Sequence, residues 1–400
     1  MSGKDFHDEV LLLEPGALLE RLDRKTSFID PFRFDRPEQF KALMLETLSH
    51  NVSDIFIQPG LPVVVKRHGR MMAVTKRTLD SGEVNEILKL AANRDTATTD
   101  IVSGRAVNER YELFDPEMTD ARGARLRYAY RVNASPCAYY GETSCQIVLR
   151  AIPDDPPPIE EVGLSREIVT QMTPRDGIVY VGGATGSGKS TTFAAINRFV
   201  LENETPIKGN LLSHEEPIEF TFRNILSKHS IFVQSQIPTH FKDFYKANRE
   251  AMRRAPGLVM IGEMRDEETI RAAIELSLTG HPIFGTVHAS TVAAIARRLI
   301  SRFPESERAS AIFDIVETAR FMMAQRLVPS LDGKRVAARE WLPFDEAMRE
   351  ELMDLSEMGK VTATIKRFMK EKGHTFEMEA DRLVAAKLIS EAEGAKLRSA

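Results

Sequence analysis

Two hydrophobic periods alternate along this chain. In FKALMLETLSHN (Phe40 to Asn51) the apolar positions recur at helical spacing, and VSDIFIQPGLPVVVKRHGRMMAV then carries two apolar runs split by Pro59, Gly60 and Pro62. That pattern predicts a helix followed by strand, turn and strand. SGEVNEILKLAAN, with Val84, Ile87, Leu88 and Leu90, predicts a helix capped by Ser81. ARLRYAYRVNAS and SCQIVLRAIP predict further strands, completing an α+β region of modest size. PDDPPP (Pro153 to Pro158) is too dense in proline for a helix or a central strand and predicts a semi-rigid connector.

Beyond the connector, GIVYVGG, GNLLSHE, GLVMIGE and HPIFGTVHA alternate with helical stretches. Short, largely apolar strands alternating with helices predict a parallel sheet covered by helices. After Ser290 helices are expected to dominate: in ERASAIFDIVETARFMMAQRLV the residues Ile312, Val316, Ala319, Met323 and Leu327 fall on one helical face, read as core or subunit interface. The expected organisation is an extension over 1–35, an α+β domain over 36–152, a linker over 153–163, an α/β domain over 164–345 and a helical tail over 346–400.

Composition narrows the picture. A length of 400 residues suits two or three domains, and 28% charged residues with a net charge of -4 argue against a global basic field for nucleic acid or an anionic membrane. No apolar run approaches the roughly 18 to 20 residues that span a bilayer, so no transmembrane segment and a cytoplasmic location are expected. Cys137 and Cys145 show no metal-binding spacing and read as reduced thiols.

The chemistry concentrates at Gly183-Ala184-Thr185-Gly186-Ser187-Gly188-Lys189-Ser190, a complete G-x-x-x-x-G-K-[ST]. Its glycines let backbone N–H groups turn toward phosphate oxygens, Lys189 can reach the β- and γ-phosphates, and the Ser190 hydroxyl can ligate Mg²⁺. An apolar strand before the loop and a helical pattern after it put the anion at a helix N-terminus. The expected nucleotide contacts are Gly183, Thr185, Gly186, Ser187, Gly188, Lys189, Ser190 and Thr191. Two acids end predicted strands: Glu263 in LVMIGEMRD and Glu215 in LLSHEEPIEF, where ligands of an α/β sheet bind.

In order along the chain, GATGSGKS, EEPIEF, GEMRD and TGHPIFGTVHAS resemble the Walker A, Asp box, Walker B and His box of the secretion and pilus-retraction ATPases. With VSDIFIQPGLPVVVKRHG and QRLV (Gln325 to Val328), the resemblance covers roughly residues 40 to 345, most of the chain. It implies a RecA-like P-loop ATPase domain with a mostly parallel sheet, a PAS-like α+β N-terminal domain, nucleotide held between the two, and a homo-hexamer using ATP and Mg²⁺. It also implies roles for residues of this chain. Lys189 and Ser190 would take phosphate and Mg²⁺, and Glu263 would polarise the attacking water and reach the metal through water, with Glu215 as the alternative acid. His281 and His288 occupy His-box positions and would sense the nucleotide state, and the arginines expected on the γ-phosphate are Arg127 and Arg150, chosen from a set that includes Arg125 and Arg131.

The chain departs from the family pattern in two places, with Glu215-Glu216-Pro217 where E-D-P is usual and Pro256-Gly257 before Walker B. It also lacks the A-I-R-x-L motif of the retraction motors. The missing retraction motif and the distinct tail make type IVB secretion or conjugative transfer ATPases the expected subgroup, docked on inner-membrane apparatus proteins from the cytosolic side, with no direct nucleic-acid partner. Pilus retraction is the alternative; a nucleotide-gated adaptor and a DNA-translocating helicase are further readings. The tail from Asp345 is read as a partner-docking segment whose deletion spares hydrolysis.

Overall fold

The computed structural model describes residues 10–13, 17–22, 28–50, 52–67, 70–119, 123, 125–152 and 155–399. It forms two units, 1–154 and 155–400.

Unit 1 is built on strands β1 (Val10–Leu13), β2 (Ala17–Arg21), β3 (Asp54–Ile57), β4 (Val64–Arg67), β5 (Arg70–Ala73), β6 (Val107–Thr119), β7 (Arg125–Tyr139) and β8 (Glu142–Ile152). They form one sheet in the order β1-β2-β5-β4-β3-β8-β7-β6. The expected strand, turn, strand at 52–74 carries a third strand, β5, which pairs antiparallel with β4. β6 was not anticipated, because NERYELFD is too polar to stand out from a loop by periodicity. Helices α1 (Pro37–Ser49), α2 (Ser81–Ala92) and α3 (Ala97–Val102) belong to this unit, and Phe40, Leu43, Ile87 and Leu88 from the first two join Ile55, Val132 and Leu149 in its core. Asp80, not Ser81, caps α2: its carboxylate accepts from Glu83 N at 2.8 Å, and the Glu83 carboxylate reaches back to Asp80 N at 3.1 Å. The stretch expected as an N-terminal extension supplies β1, β2 and the buried Phe34.

Unit 2 holds β9 (Gly177–Gly182), β10 (Gly209–Glu215), β11 (Ser230–Gln236), β12 (Pro256–Ile261), β13 (Pro282–Val287), β14 (Ala319–Pro329) and β15 (Arg335–Pro343), ordered β11-β10-β12-β13-β9-β14-β15. All neighbours pair in parallel except the edge hairpin β14–β15. Its helices are α4 (Arg166–Gln171), α5 (Lys189–Glu202), α6 (Phe244–Ala251), α7 (Glu267–Leu278), α8 (Val292–Ile300), α9 (Arg308–Thr318), α10 (Glu346–Met353), α11 (Met358–Lys372), α12 (Phe376–Ala385) and α13 (Glu391–Arg398).

Two sequence expectations are corrected here. The apolar stripe from Ile312 to Leu327 is not one helix: α9 stops at Thr318, and Ala319 onward is a sheet strand between β9 and β15. A run such as FMMA satisfies a helical stripe and a strand buried on both faces equally well, and Phe321, Met322, Met323 and Ala324 are all buried. The tail is not a detachable segment either. Met348, Leu352, Val361, Ile365, Phe368 and Met369 complete the core that covers one face of the sheet. Phe376, Ala380 and Leu383 of α12 close over Ala324 and Ala338 of the edge hairpin.

Candidate nucleotide site

β9 lies between β13 and β14, and its last residue Gly182 stands level with Val287 on one side and Ala324 on the other. The loop that follows therefore emerges with His288 on one flank and Gln325 on the other. Gly186 and Gly188 adopt left-handed conformations, φ 76° and 86°, which a residue with a Cβ takes only at a cost. A Cβ on Gly183 would lie 2.2 Å from Ser187 Oγ and 2.7 Å from the Gln325 carbonyl. The turn leads straight into α5, whose first residue is Lys189. Ala184, Thr185 and Gly186 form its exposed crest, while Ser187 and Lys189 are buried and Gly188, Ser190 and Thr191 are half-buried.

Lys189 Nζ donates to the carbonyls of Gly183 and Ala184, both at 2.9 Å. Burial lowers its pKa, and the charges of Glu263 and Glu219 oppose that shift, so a lysine and two acids share one electrostatic neighbourhood. Glu263 follows β12 by two residues and is partly exposed; its Oε1 stands 3.5 Å from His288 Nε2. Thr286 Oγ1 donates to the Gly262 carbonyl at 2.5 Å and Met264 N to the Thr286 carbonyl at 2.9 Å, which fixes the backbone on both sides of Glu263.

Glu215 differs sharply from Glu263. It is buried, its Oε1 accepts from Ser213 Oγ at 2.6 Å and Gln234 Nε2 at 3.0 Å, and burial raises its pKa. A carboxylate so enclosed acts as a strut between β10 and β11. Its neighbour Glu216 is exposed and pairs with Arg265 at 3.3 Å.

The two histidines separate. His288 sits just past the C-terminal end of β13, beside the loop, whereas His281 precedes that strand, level with the start of β9. Seven extended residues span roughly 20 Å. His281 is thus corrected out of the set that surrounds this chain's own phosphate loop. Arg127 and Arg150 belong to unit 1, where Arg127 pairs with Glu112 and lies over the Phe114 ring, and Arg150 Nε donates to Asp54 Oδ1 at 2.7 Å. Arg150 is well exposed, with two thirds of its side chain in solvent.

Comparison with known proteins gives this geometry a family. Residues 37–373 match the family described as type II/IV secretion system protein. The chain belongs to that family. The type IV pilus ATPase PilU of Pseudomonas aeruginosa is 28% identical over 339 residues, 85% of this chain and 83% of its own length. Among solved structures, the ATPase DotB of Yersinia pseudotuberculosis is similar at 48% identity and TM-score 0.80, covering 95% of this chain and 98% of its own. DotB of Legionella pneumophila is similar at 37% identity and TM-score 0.83, covering 93% and 98%. The type II/IV secretion ATPases hydrolyse ATP, and this chain is one of these enzymes.

In this secretion ATPase the phosphate loop is flanked by two cavities. One, of about 1000 Å³, is lined by Ala184, His288, Ser290, Arg297 and Arg298. The other, of about 370 Å³, is lined by Gly163, Gly188, Thr191, Gln325, Leu327 and Arg339. Sequence reasoning missed three participants. Glu219 lies inside EEPIEF and Gln325 inside QRLV, and Arg339 stands in a stretch without a motif. Only strand register brings the last two behind the loop: Gln325 pairs with Arg339 across β14 and β15.

Proposed function

We propose that this chain is the ATPase motor of a type IVB secretion or conjugative transfer machine, working as a homo-hexamer on the cytosolic face of an inner-membrane apparatus. The observation that carries this reading is its near end-to-end likeness to the DotB ATPases, at higher identity than the pilus ATPase PilU reaches. Among the described residues no helix is long and apolar enough to cross a membrane.

In this reading ATP lies along the loop. Its β- and γ-phosphates take the Lys189 ammonium from the Gly183 and Ala184 carbonyls, and its base and sugar enter the cavity beside Thr191 and Leu327. Gly183, Thr185, Gly186, Ser187, Gly188 and Ser190 contribute the loop and helix N-terminus that surround the anion. The donors for a divalent cation are hard oxygens, the Ser190 hydroxyl and, through water, Glu263, a set that suits Mg²⁺. Mg²⁺ there would neutralise charge on the phosphate oxygens. Glu263 accepts the proton of the water whose oxygen attacks the γ-phosphorus as the bond to the β,γ-bridging oxygen breaks, giving ADP and phosphate. Glu263 is preferred over Glu215 because Glu215 is buried and already holds Ser213 and Gln234, whereas Glu263 is partly exposed and shares Lys189's field. His288, 3.5 Å from Glu263, is placed to report its charge. Arg127 and Arg150 are proposed as the cations for the γ-phosphate, on the strength of the family resemblance.

Relatives named as type IV pilus ATPases, one of them a pilus retraction ATPase, keep pilus retraction as a second reading. A strain carrying Lys189→Ala at the native locus separates the two. The secretion reading expects loss of protein export or plasmid transfer with twitching intact; loss of twitching with transfer intact contradicts it.

A further inference from the structure

We infer that Gln325 is a positioning residue that locks the Ser187–Gly188 peptide so that the Gly188 N–H faces the phosphates, with Arg339 as the fastener that holds Gln325 in that orientation. Gln325 Nε2 donates to the Ser187 carbonyl at 2.6 Å. Its Oε1 accepts two bonds, from Thr192 Oγ1 and from Arg339 Nε, each at 2.7 Å. Two donors on the oxygen leave only one sense for the amide, and they force the nitrogen toward Ser187. In a trans peptide the C=O and N–H point in opposite directions, so a carbonyl drawn back to Gln325 turns the next N–H into the loop.

Such a lock has work to do here. Gly186 and Gly188, both at positive φ, make peptide flips inexpensive, and a flipped Ser187–Gly188 unit would present a carbonyl to an anion. The fit is close, since a Cβ on Gly188 would come within 2.8 Å of Gln325 Nε2. Arg339 is buried and also reaches Thr192 Oγ1 and the Gly163 carbonyl, both at 3.3 Å. Its balancing charge comes from Glu379 on α12, itself held by Arg382 through two bonds of 2.8 Å and by His374 at 3.0 Å. The C-terminal helices thereby bear on the phosphate loop through named side chains rather than by packing alone.

The test uses full-length protein, Mg²⁺ and a fluorescent ADP, with turnover measured in parallel. Gln325→Glu keeps the size and the Arg339 contact but sets a carboxylate against the Ser187 carbonyl. The lock predicts at least a tenfold weaker Kd for the ADP probe and a matching fall in kcat/KM, with the unfolding midpoint reported by Trp341 unchanged or higher. A Kd within twofold of wild type overturns it, as does a lower midpoint with unchanged affinity, which would mark Gln325 as merely structural. Gln325→Met serves if the first variant does not fold. It frees the peptide without repelling it, so a loss of about three- to tenfold supports the lock and wild-type affinity overturns it. Arg339→Lys keeps a cation without the fork, and a smaller loss in the same direction is expected.

Discussion

Phe368→Ala tests whether the C-terminal helices are part of the ATPase unit. Phe368 is 3% exposed on α11 and belongs to the core that Val361, Ile365 and Leu352 share with β12 and β13. Removing a fully buried ring loses its transfer free energy and leaves a cavity, together ~3–5 kcal/mol. The Arg367 guanidinium, 4.4 Å from the ring centroid, loses that contact while keeping its pairs with Glu351 and Glu371. The chain has one tryptophan, Trp341, which lies in β15 and stacks on His374 at 3.8 Å, just beyond the end of α11. Its fluorescence during urea unfolding therefore follows unit 2 alone. With a urea slope of about 3 kcal/mol/M for a unit this large, the midpoint should fall by roughly 1 M or more. A shift worth less than about 1 kcal/mol with an unchanged slope would refute the argument and restore the tail as an appendage.

Three further outcomes are expected. Burial raises the Glu215 carboxyl pKa above the usual 4.5, so its contribution to stability is present below that pH and is lost as pH rises through the folded-state value. Glu215→Gln, which can still accept from Ser213 and Gln234, should raise the thermal midpoint at pH 7.5 and leave ATP hydrolysis within a few-fold; near-complete loss of turnover in a folded variant would make Glu215 the catalytic acid. His214 is buried and its pKa is lowered from 6.5 to about 4, so its contribution is full above 6.5 and is lost as pH falls through about 4, at most about 3 kcal/mol. Urea unfolding followed by Trp341 between pH 7.5 and 4.5 should show a shallower decline in His214→Gln, and an identical decline in both proteins contradicts this. Asp80→Ala removes the α2 cap and should cost about 1 kcal/mol of unit 1 stability, seen by circular dichroism; no change would mean that water replaces the cap.

Local chemistry was legible from the sequence; pairing was not. β9, β10, β12 and β13 announce themselves as short apolar runs, because both faces of a central parallel strand are covered. The phosphate loop is equally local, since a handful of adjacent backbone groups form it. β14 misled because methionines and alanines satisfy either period, and only the vacant edge of β9 decides between them. The Gln325–Arg339 pair lies fourteen residues apart and meets through hairpin register, which no spacing rule exposes. For the histidines the spacing is informative, because the strand between them carries them to opposite ends of the parallel strands.

The most direct measurement is steady-state ATP hydrolysis by the purified protein, resolved by oligomeric state, for wild type, Lys189→Ala and Glu263→Gln, with nucleotide binding measured on the same samples. The account predicts turnover in the assembled wild type, loss of binding in Lys189→Ala, and in Glu263→Gln retained ATP binding with turnover reduced by about 10²- to 10⁴-fold. Normal hydrolysis by Glu263→Gln would contradict it.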